Sequence, residues 1–218
     1  MLKIVNAISK WMAIKLDLDD EKKDVIAYGM FAFFQSIFCI LLVIIVGFIF
    51  HAIVEALIIS FTIAILRKSS GGIHASTPGI CAIVGTLVPI ICSLIIKNIN
   101  ITLYIVIFFG VIAFLISYIL VYKLAPVDSI KKPIKNTKKR LKLKRKSIIT
   151  ISVYLVLVIL NLIAYYMWEN YDLMVYSLCI CSGMLWQVFT LTKIGHLLLS
   201  KVDGFLSNII SYEACEKR

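Results

Sequence analysis

The chain has 218 residues, 61 % of them hydrophobic, with a formal net charge of +11 and a mean hydropathy of +0.98. A soluble domain carries only about 45–50 % apolar residues, so these values exclude an ordinary soluble fold and point to an integral membrane protein. The cations lie outside the apolar runs, which makes them a signal of orientation and anionic lipid rather than of nucleic acid.

The first thirty residues interleave apolar and charged positions, with no compact apolar core followed by a small-residue cleavage site. The first apolar run is therefore expected to stay as a span. Leu2, Val5, Ile8, Trp11, Met12 and Lys15 fall near one helical face. That spacing suits an amphipathic helix in the headgroup layer, or equally one packed on the bundle. Residues 1–29 form this N-terminal segment, with a charged turn from Asp17 to Asp24.

From Met30 to Leu66 the chain is apolar for too long to be one crossing, since ~20 helical residues cover a bilayer core of ~30 Å. Gly47 and His51 mark the bend, giving predicted spans at 30–49 and 51–67. A polar, glycine-rich break runs from Arg67 to Cys81. Within it, Thr77 suits an N-cap and Pro78 the first helical position, where its missing N–H costs nothing. The third span is therefore predicted over 78–96, with Cys81 in its first turn. A fourth span at 101–122, a basic loop at 123–147, a fifth span at 148–168 and a sixth at 173–192 follow. The tail, 193–218, holds an amphipathic segment from Ile194 to Ile210 that suits the membrane surface.

The expected fold is all-α: a single polytopic membrane domain over 1–218, with about six transmembrane helices and an N-terminal amphipathic helix. Six spans put both termini on one side, and of the 23 Lys and Arg only Lys97 then falls on the other. The positive-inside rule makes the first side cytoplasmic, together with the loops at 67–81 and 123–147 and the tail.

Six cysteines do not imply a disulfide framework, because Cys39, Cys92, Cys179 and Cys181 sit inside apolar runs as small hydrophobes. Cys179 and Cys181, two apart, point to opposite sides of a helix and cannot share a metal. His51 is expected at the external face, away from His74, so no metal and no cofactor is expected. Glu55, one turn into span two, is read as reaching the external interface, and cytoplasmic His196 as meeting the membrane surface, with an approach to the 67–81 loop as the alternative.

His74 and Cys81 are the pair that can carry chemistry. In one continuous helix, seven residues rise about 10 Å, too far for a hydrogen bond. A loop folding back onto span three brings the imidazole to the thiol, and Gly71-Gly72 and Pro78-Gly79 permit that path. A helix N-terminus and a neighbouring imidazolium both favour the thiolate, which is what a cysteine nucleophile needs. Unpaired N–H groups of the same first turn can receive an oxyanion. On spacing alone the pair stays open against a plainer reading, in which the cysteine packs and the histidine meets headgroups.

The run Arg67-Lys68-Ser69-Ser70-Gly71-Gly72-Ile73-His74-Ala75, followed by Cys81, resembles the signature of the accessory gene regulator protein B (AgrB) family. These are membrane cysteine peptidases of quorum sensing in Gram-positive bacteria. Ala125-Pro126-Val127-Asp128 running into Lys131-Lys132-Pro133-Ile134 resembles a second family motif, and span order and loop lengths also fit. The resemblance implies a cell-membrane endopeptidase in which Cys81 is the nucleophile and His74 the general base. It implies cleavage of the C-terminal tail of an AgrD-type propeptide through a thioester on Cys81, then cyclisation to a thiolactone or lactone. Arg67, Ser70, Gly71 and Gly72 become supporting residues, and a homodimer is expected. Some members carry a polar residue two positions after the glycine that opens span one, where this chain has Phe31. Gln35 lies a turn later and either substitutes for it or bridges two helices.

Lys131, Lys132, Lys138, Lys139 and Arg140 are candidates for binding an acidic propeptide tail, alongside anionic membrane lipid. No aromatic residue is interleaved between Lys123 and Ser147, so nucleic acid is not an expected partner. The alternative from another class is a small membrane transporter or interaction protein with a structural His/Cys loop.

Overall fold

A computed structural model describes Lys15 and residues 19–72, 77–127 and 136–216. The described residues form seven helices: α1 (Asp20–Ile49), α2 (Ile53–Ser70), α3 (Pro78–Asn98), α4 (Leu103–Leu124), α5 (Thr137–Trp168), α6 (Asp172–Phe189) and α7 (Lys193–Glu216). The protein is an all-α polytopic membrane protein. Among the described residues the sole extended pairing is an isolated parallel bridge between Gly71 and Val127. The amphipathic face expected over residues 2–18 lies, apart from Lys15, outside the described residues or their side chains.

Five helices are long and apolar enough to cross a membrane: the Gly29–Ile49 part of α1, then α3, α4, α5 and α6. The second predicted span, α2, falls outside that group because Glu55, Arg67 and Lys68 lie within its 18 residues. Its placement nevertheless matches a crossing. At one end of the bundle Lys97, ending α3, reaches the His51 carbonyl and lies 3.4 Å from Glu55. The Ile101 N–H there donates to Tyr171, tying the α3–α4 connection to the α5–α6 connection. At the other end Val127 N–H donates to Ser70 O, tying the α2–α3 connection to the α4–α5 connection. Helix α2 thus joins the two ends, and its 18 residues rise about 27 Å, close to the thickness of the hydrocarbon layer.

The interior is organised on α2 and α6. Helix α6 packs against α2, α3, α4 and α5, while α2 also packs on α1, α3 and α5. Cys179 and Cys181 are both buried on α6 and enter separate clusters, one with Ile59, Val106 and Met174, the other with Leu66, Phe114 and Tyr154. Without a hydrophobic drive between helices in lipid, close approach of small residues does the work of packing. Gly183 shows this: a Cβ there would stand 2.9 Å from Ile59 O and 3.1 Å from Thr62 Cβ. At the same level Tyr154 donates from α5 to Thr62 O at 2.9 Å. The outward faces of α1 and α4 remain apolar and exposed, with Phe33, Leu41, Phe48, Phe108 and Leu115 among them.

Several boundaries differ from the sequence reading. The charged stretch from Asp20 to Asp24 is the start of α1, not a turn. Arg67, Lys68, Ser69 and Ser70 form the last turn of α2, and the break in helix begins at Gly71. Thr137 to Ser147, assigned to the basic loop, is the opening of α5, capped by Asn136 Oδ1 on the N–H groups of Lys138 and Lys139. Beyond Pro133 this stretch holds no glycine or proline, and Lys, Arg and Leu are good helix formers, so the span continues outward. Glu55 pairs with Lys97 as well as reaching the end of the bundle.

Two glycines give direct tests. Gly183→Val should destabilise the detergent-solubilised protein by about 1–3 kcal/mol through overpacking of the α2–α6 crossing, read as a lower melting temperature. Gly71 has φ +73°, and a Cβ there would lie 2.1 Å from Val127 O. Gly71→Ala should therefore cost about 1–3 kcal/mol in the same melt. Gly79→Ala is the control, because nothing lies within 4 Å of a Cβ at that position.

Candidate functional site

The third helix begins where Thr77 and Pro78 place it. Thr77 is extended and its hydroxyl accepts from Ile80 N–H at 3.4 Å, while Pro78 opens the helix. Cys81 N–H donates to Thr77 O at 3.1 Å, so the thiol stands on the first turn, half-buried and free of any disulfide. The expected supply of free N–H groups is narrower than the sequence reading held. Pro78 has none, and those of Ile80 and Cys81 are both committed to Thr77. Gly79 N–H alone, in this turn, has no acceptor among the described residues.

One side chain from α1 contacts that turn, and two more, from α1 and α2, act on it electrostatically. Gln35 Nε2 donates to Pro78 O at 2.8 Å and lies 3.8 Å from Cys39 Sγ. Gln35 therefore bridges α1 and α3, and the helix it holds is the one that carries Cys81. Cys39 and Arg67 both lie within electrostatic range of the Cys81 sulfur. The half-buried guanidinium of Arg67 supplies positive charge within that range, where water screens it less than at an open surface. No group of three metal-ligating side chains occurs among the described residues.

The path from α2 to α3 is anchored on both sides. Ser70 O accepts from Val127 N–H, and Gly71 O accepts from Gln187 Nε2 at 2.9 Å. The same Nε2 donates to Ser70 Oγ at 3.1 Å. Gly72 is buried with φ +129°, and a Cβ there would stand 3.1 Å from Thr190 Oγ1 and 3.5 Å from Gln187 Nε2. Ser70, Gly71 and Gly72 thus occupy a seat formed by Val127 and the end of α6. The chain resumes at Thr77. His74 falls in 73–76, outside the described residues, so its expected approach to Cys81 has no geometry here.

Lys131 and Lys132 likewise lie outside the described residues. Lys138, Lys139 and Arg140 are exposed on the first turn of α5. Cations at a helix N-terminus add to the positive end of the helix dipole instead of offsetting it. This end of α5 is therefore strongly attractive to anions. Further along, Lys144 folds back over the Tyr122 ring, with its nitrogen 4.1 Å from the centroid. His196 does not simply face outward: with Val127, Leu191, Lys193, Leu197 and Ser200 it lines a groove of about 540 Å³ between α7 and the α4–α5 connector.

The sequence reading passed over Gln187. The signal was present: an amide near the end of an otherwise apolar span, where a polar group inside the membrane is a functional candidate by default.

The family model described as Accessory gene regulator B matches residues 2–191. An AgrB-like protein of Clostridium perfringens strain SM101 is 36 % identical over 206 residues, covering 93 % of this chain and 96 % of its own length. A second, AgrB-like protein 2 of C. perfringens strain 13, is 36 % identical over 216 residues, covering 95 % of this chain and all of its own length. No solved structure gives a significant match. Matched across nearly its whole length by the family model and by two full-length relatives, the chain belongs to the accessory gene regulator B family.

Proposed function

We propose that the protein is a membrane cysteine endopeptidase that removes the C-terminal tail of an AgrD-type propeptide and promotes its cyclisation. Membership of the family ties the chain to the accessory-gene-regulator quorum-sensing system and to a propeptide partner. The observation that carries the finer reading is the setting of Cys81, a half-buried thiol on the first turn of α3 within electrostatic range of the Arg67 guanidinium. A helix N-terminus and a nearby cation both favour the negative charge that develops when a cysteine attacks a carbonyl.

In this reading His74 takes the thiol proton as Cys81 attacks the peptide carbonyl. The Gly79 N–H and Arg67 stabilise the oxyanion. The tail leaves with a new amino terminus, and the remainder is held as a thioester on Cys81. An internal cysteine or serine of the propeptide then attacks that thioester, closing a thiolactone or lactone ring and releasing the enzyme. Exchange of one thioester for another is nearly balanced in free energy, whereas forming a thioester from an amide is uphill. Removal of tail or ring draws the sequence forward, and a site at the rim of a helix bundle limits hydrolysis of the acyl-enzyme.

Sidedness follows from charge. Among the described Lys and Arg, Lys97 marks one end of the bundle, while Arg67, Lys68, Lys123 and the opening of α5 mark the other. With the positive end in the cytoplasm of a Gram-positive cell, Cys81 meets a propeptide made inside. Lys138, Lys139 and Arg140, with Lys131 and Lys132, bind an acidic tail and anionic lipid. The exposed apolar faces of α1 and α4 serve lipid contact, and a homodimer is the assembly that the family resemblance implies. A transporter reading gains nothing from the described spans, which are not the paired discontinuous helices that such carriers use.

Reconstitution with a tailed propeptide tests this. Cys81→Ala and His74→Ala should insert normally and abolish tail release, read by mass spectrometry. Unimpaired cleavage by Cys81→Ala would remove it from the mechanism. Arg67→Gln should slow cleavage about tenfold or more and slow alkylation of Cys81 at neutral pH. Replacing Lys138, Lys139 and Arg140 together by glutamine should raise KM for an acidic-tailed substrate about tenfold, at roughly 1 kcal/mol per cation before salt screening.

A further inference from the structure

Gln187 is fully buried near the end of α6. An amide in that position costs stability in a lipid-embedded bundle unless its groups find partners. Both of its donor bonds go to one place, Ser70 Oγ at 3.1 Å and Gly71 O at 2.9 Å. Its Oε1 is buried and has no partner among the described residues. The orientation of the amide is set by its neighbour, because the reverse would press Oε1 against the Gly71 carbonyl. Thr190 Oγ1 donates to Gln187 O at 2.7 Å and also flanks Gly72. An apolar residue in this site would leave the Gly71 carbonyl without this donor, so the amide does more than fill space.

That need is the placement of the end of α2. Gly71 N–H donates to Arg67 O at 3.0 Å, which closes the last turn of the helix onto the residue whose guanidinium lies within electrostatic range of Cys81. Gln187 fixes the next link, the Gly71 carbonyl, and Val127 fixes the Ser70 carbonyl. We propose that Gln187 is a positioning residue for the peptidase reaction. It holds the Ser70–Gly72 segment so that Arg67, one helical turn earlier, is kept within electrostatic range of Cys81 on the first turn of α3. This rests on the reading of Cys81 as nucleophile.

The test uses the full-length protein in vesicles with a tailed propeptide. Gln187→Met keeps length and burial but has no donors, and Gln187→Glu sets an acceptor against the Gly71 carbonyl. Each should lower kcat about tenfold with KM within about twofold, as expected for loss of hydrogen bonds that aim a reacting group. Alkylation of Cys81 by iodoacetamide, which needs no propeptide, should slow in parallel. Ser70→Ala, which removes the weaker of the two bonds, should cost about threefold, and added to Gln187→Met it should cost no more, because the two share one interaction. A Gln187→Met protein with a lowered melting temperature but unchanged kcat and alkylation would overturn the proposal, as would a rise in KM alone. Where Gln187→Met fails to insert, Ser70→Ala decides: an unchanged kcat overturns it. Cys81→Ala separates the two levels. If that variant still cleaves, the nucleophile reading fails first; if it is dead while Gln187→Met turns over normally, only the role of Gln187 falls.

Discussion

Inside a bilayer no water is present to satisfy backbone groups, so a chain that leaves the helix there must find every partner within the protein. The described structure meets that demand where α2 ends. Arg67 O takes the Gly71 N–H, Ser70 O takes the Val127 N–H, and Gly71 O takes the Gln187 side chain. Helix α6 and the α4–α5 connector are drawn in to support the point at which α2 gives way to irregular backbone. The glycines are part of the same solution, since position 71 has no room for a side chain and position 72 sits against Thr190. The break between α2 and α3 is thus a built feature of the bundle.

The same end of the molecule gathers its chemistry from elements distant in sequence. Thr77 and Pro78 fix where α3 starts and therefore where the Cys81 sulfur stands. Gln35 brings α1 onto Pro78 O, and Arg67 brings charge from α2. In a low-dielectric setting a single cation has far more effect on a neighbouring anion than it would in water. The opposite end is plainer: Lys97, Glu55 and the His51 carbonyl join α2 to α3, in keeping with an anchor.

Much of this was legible in the chain. The all-α fold, the turn near Gly47 and His51, and the start of α3 at Pro78 follow from hydropathy, glycine and capping rules that act locally. Those rules fail where composition changes within one helix. The basic run after Asn136 looked like a loop because charge normally marks the end of a span, yet Lys and Arg carry the helix on into water. Arg67 to Ser70 looked like loop for the same reason. The part played by Gln187 was out of reach for a different cause: its partners, Ser70 and Gly71, lie more than a hundred residues away, and only packing of α6 against α2 brings them together. Gln35 was singled out, but its target at Pro78 O needed the α1–α3 contact.

The bridge between Gly71 and Val127 has a mechanical meaning. Val127 sits on the strap that leads from α4 toward the cationic opening of α5, and Ser70 terminates the helix that bears Arg67. Through that one hydrogen bond, the backbone leaving α4 and the backbone ending α2 share a fixed point, although 57 residues of sequence separate them.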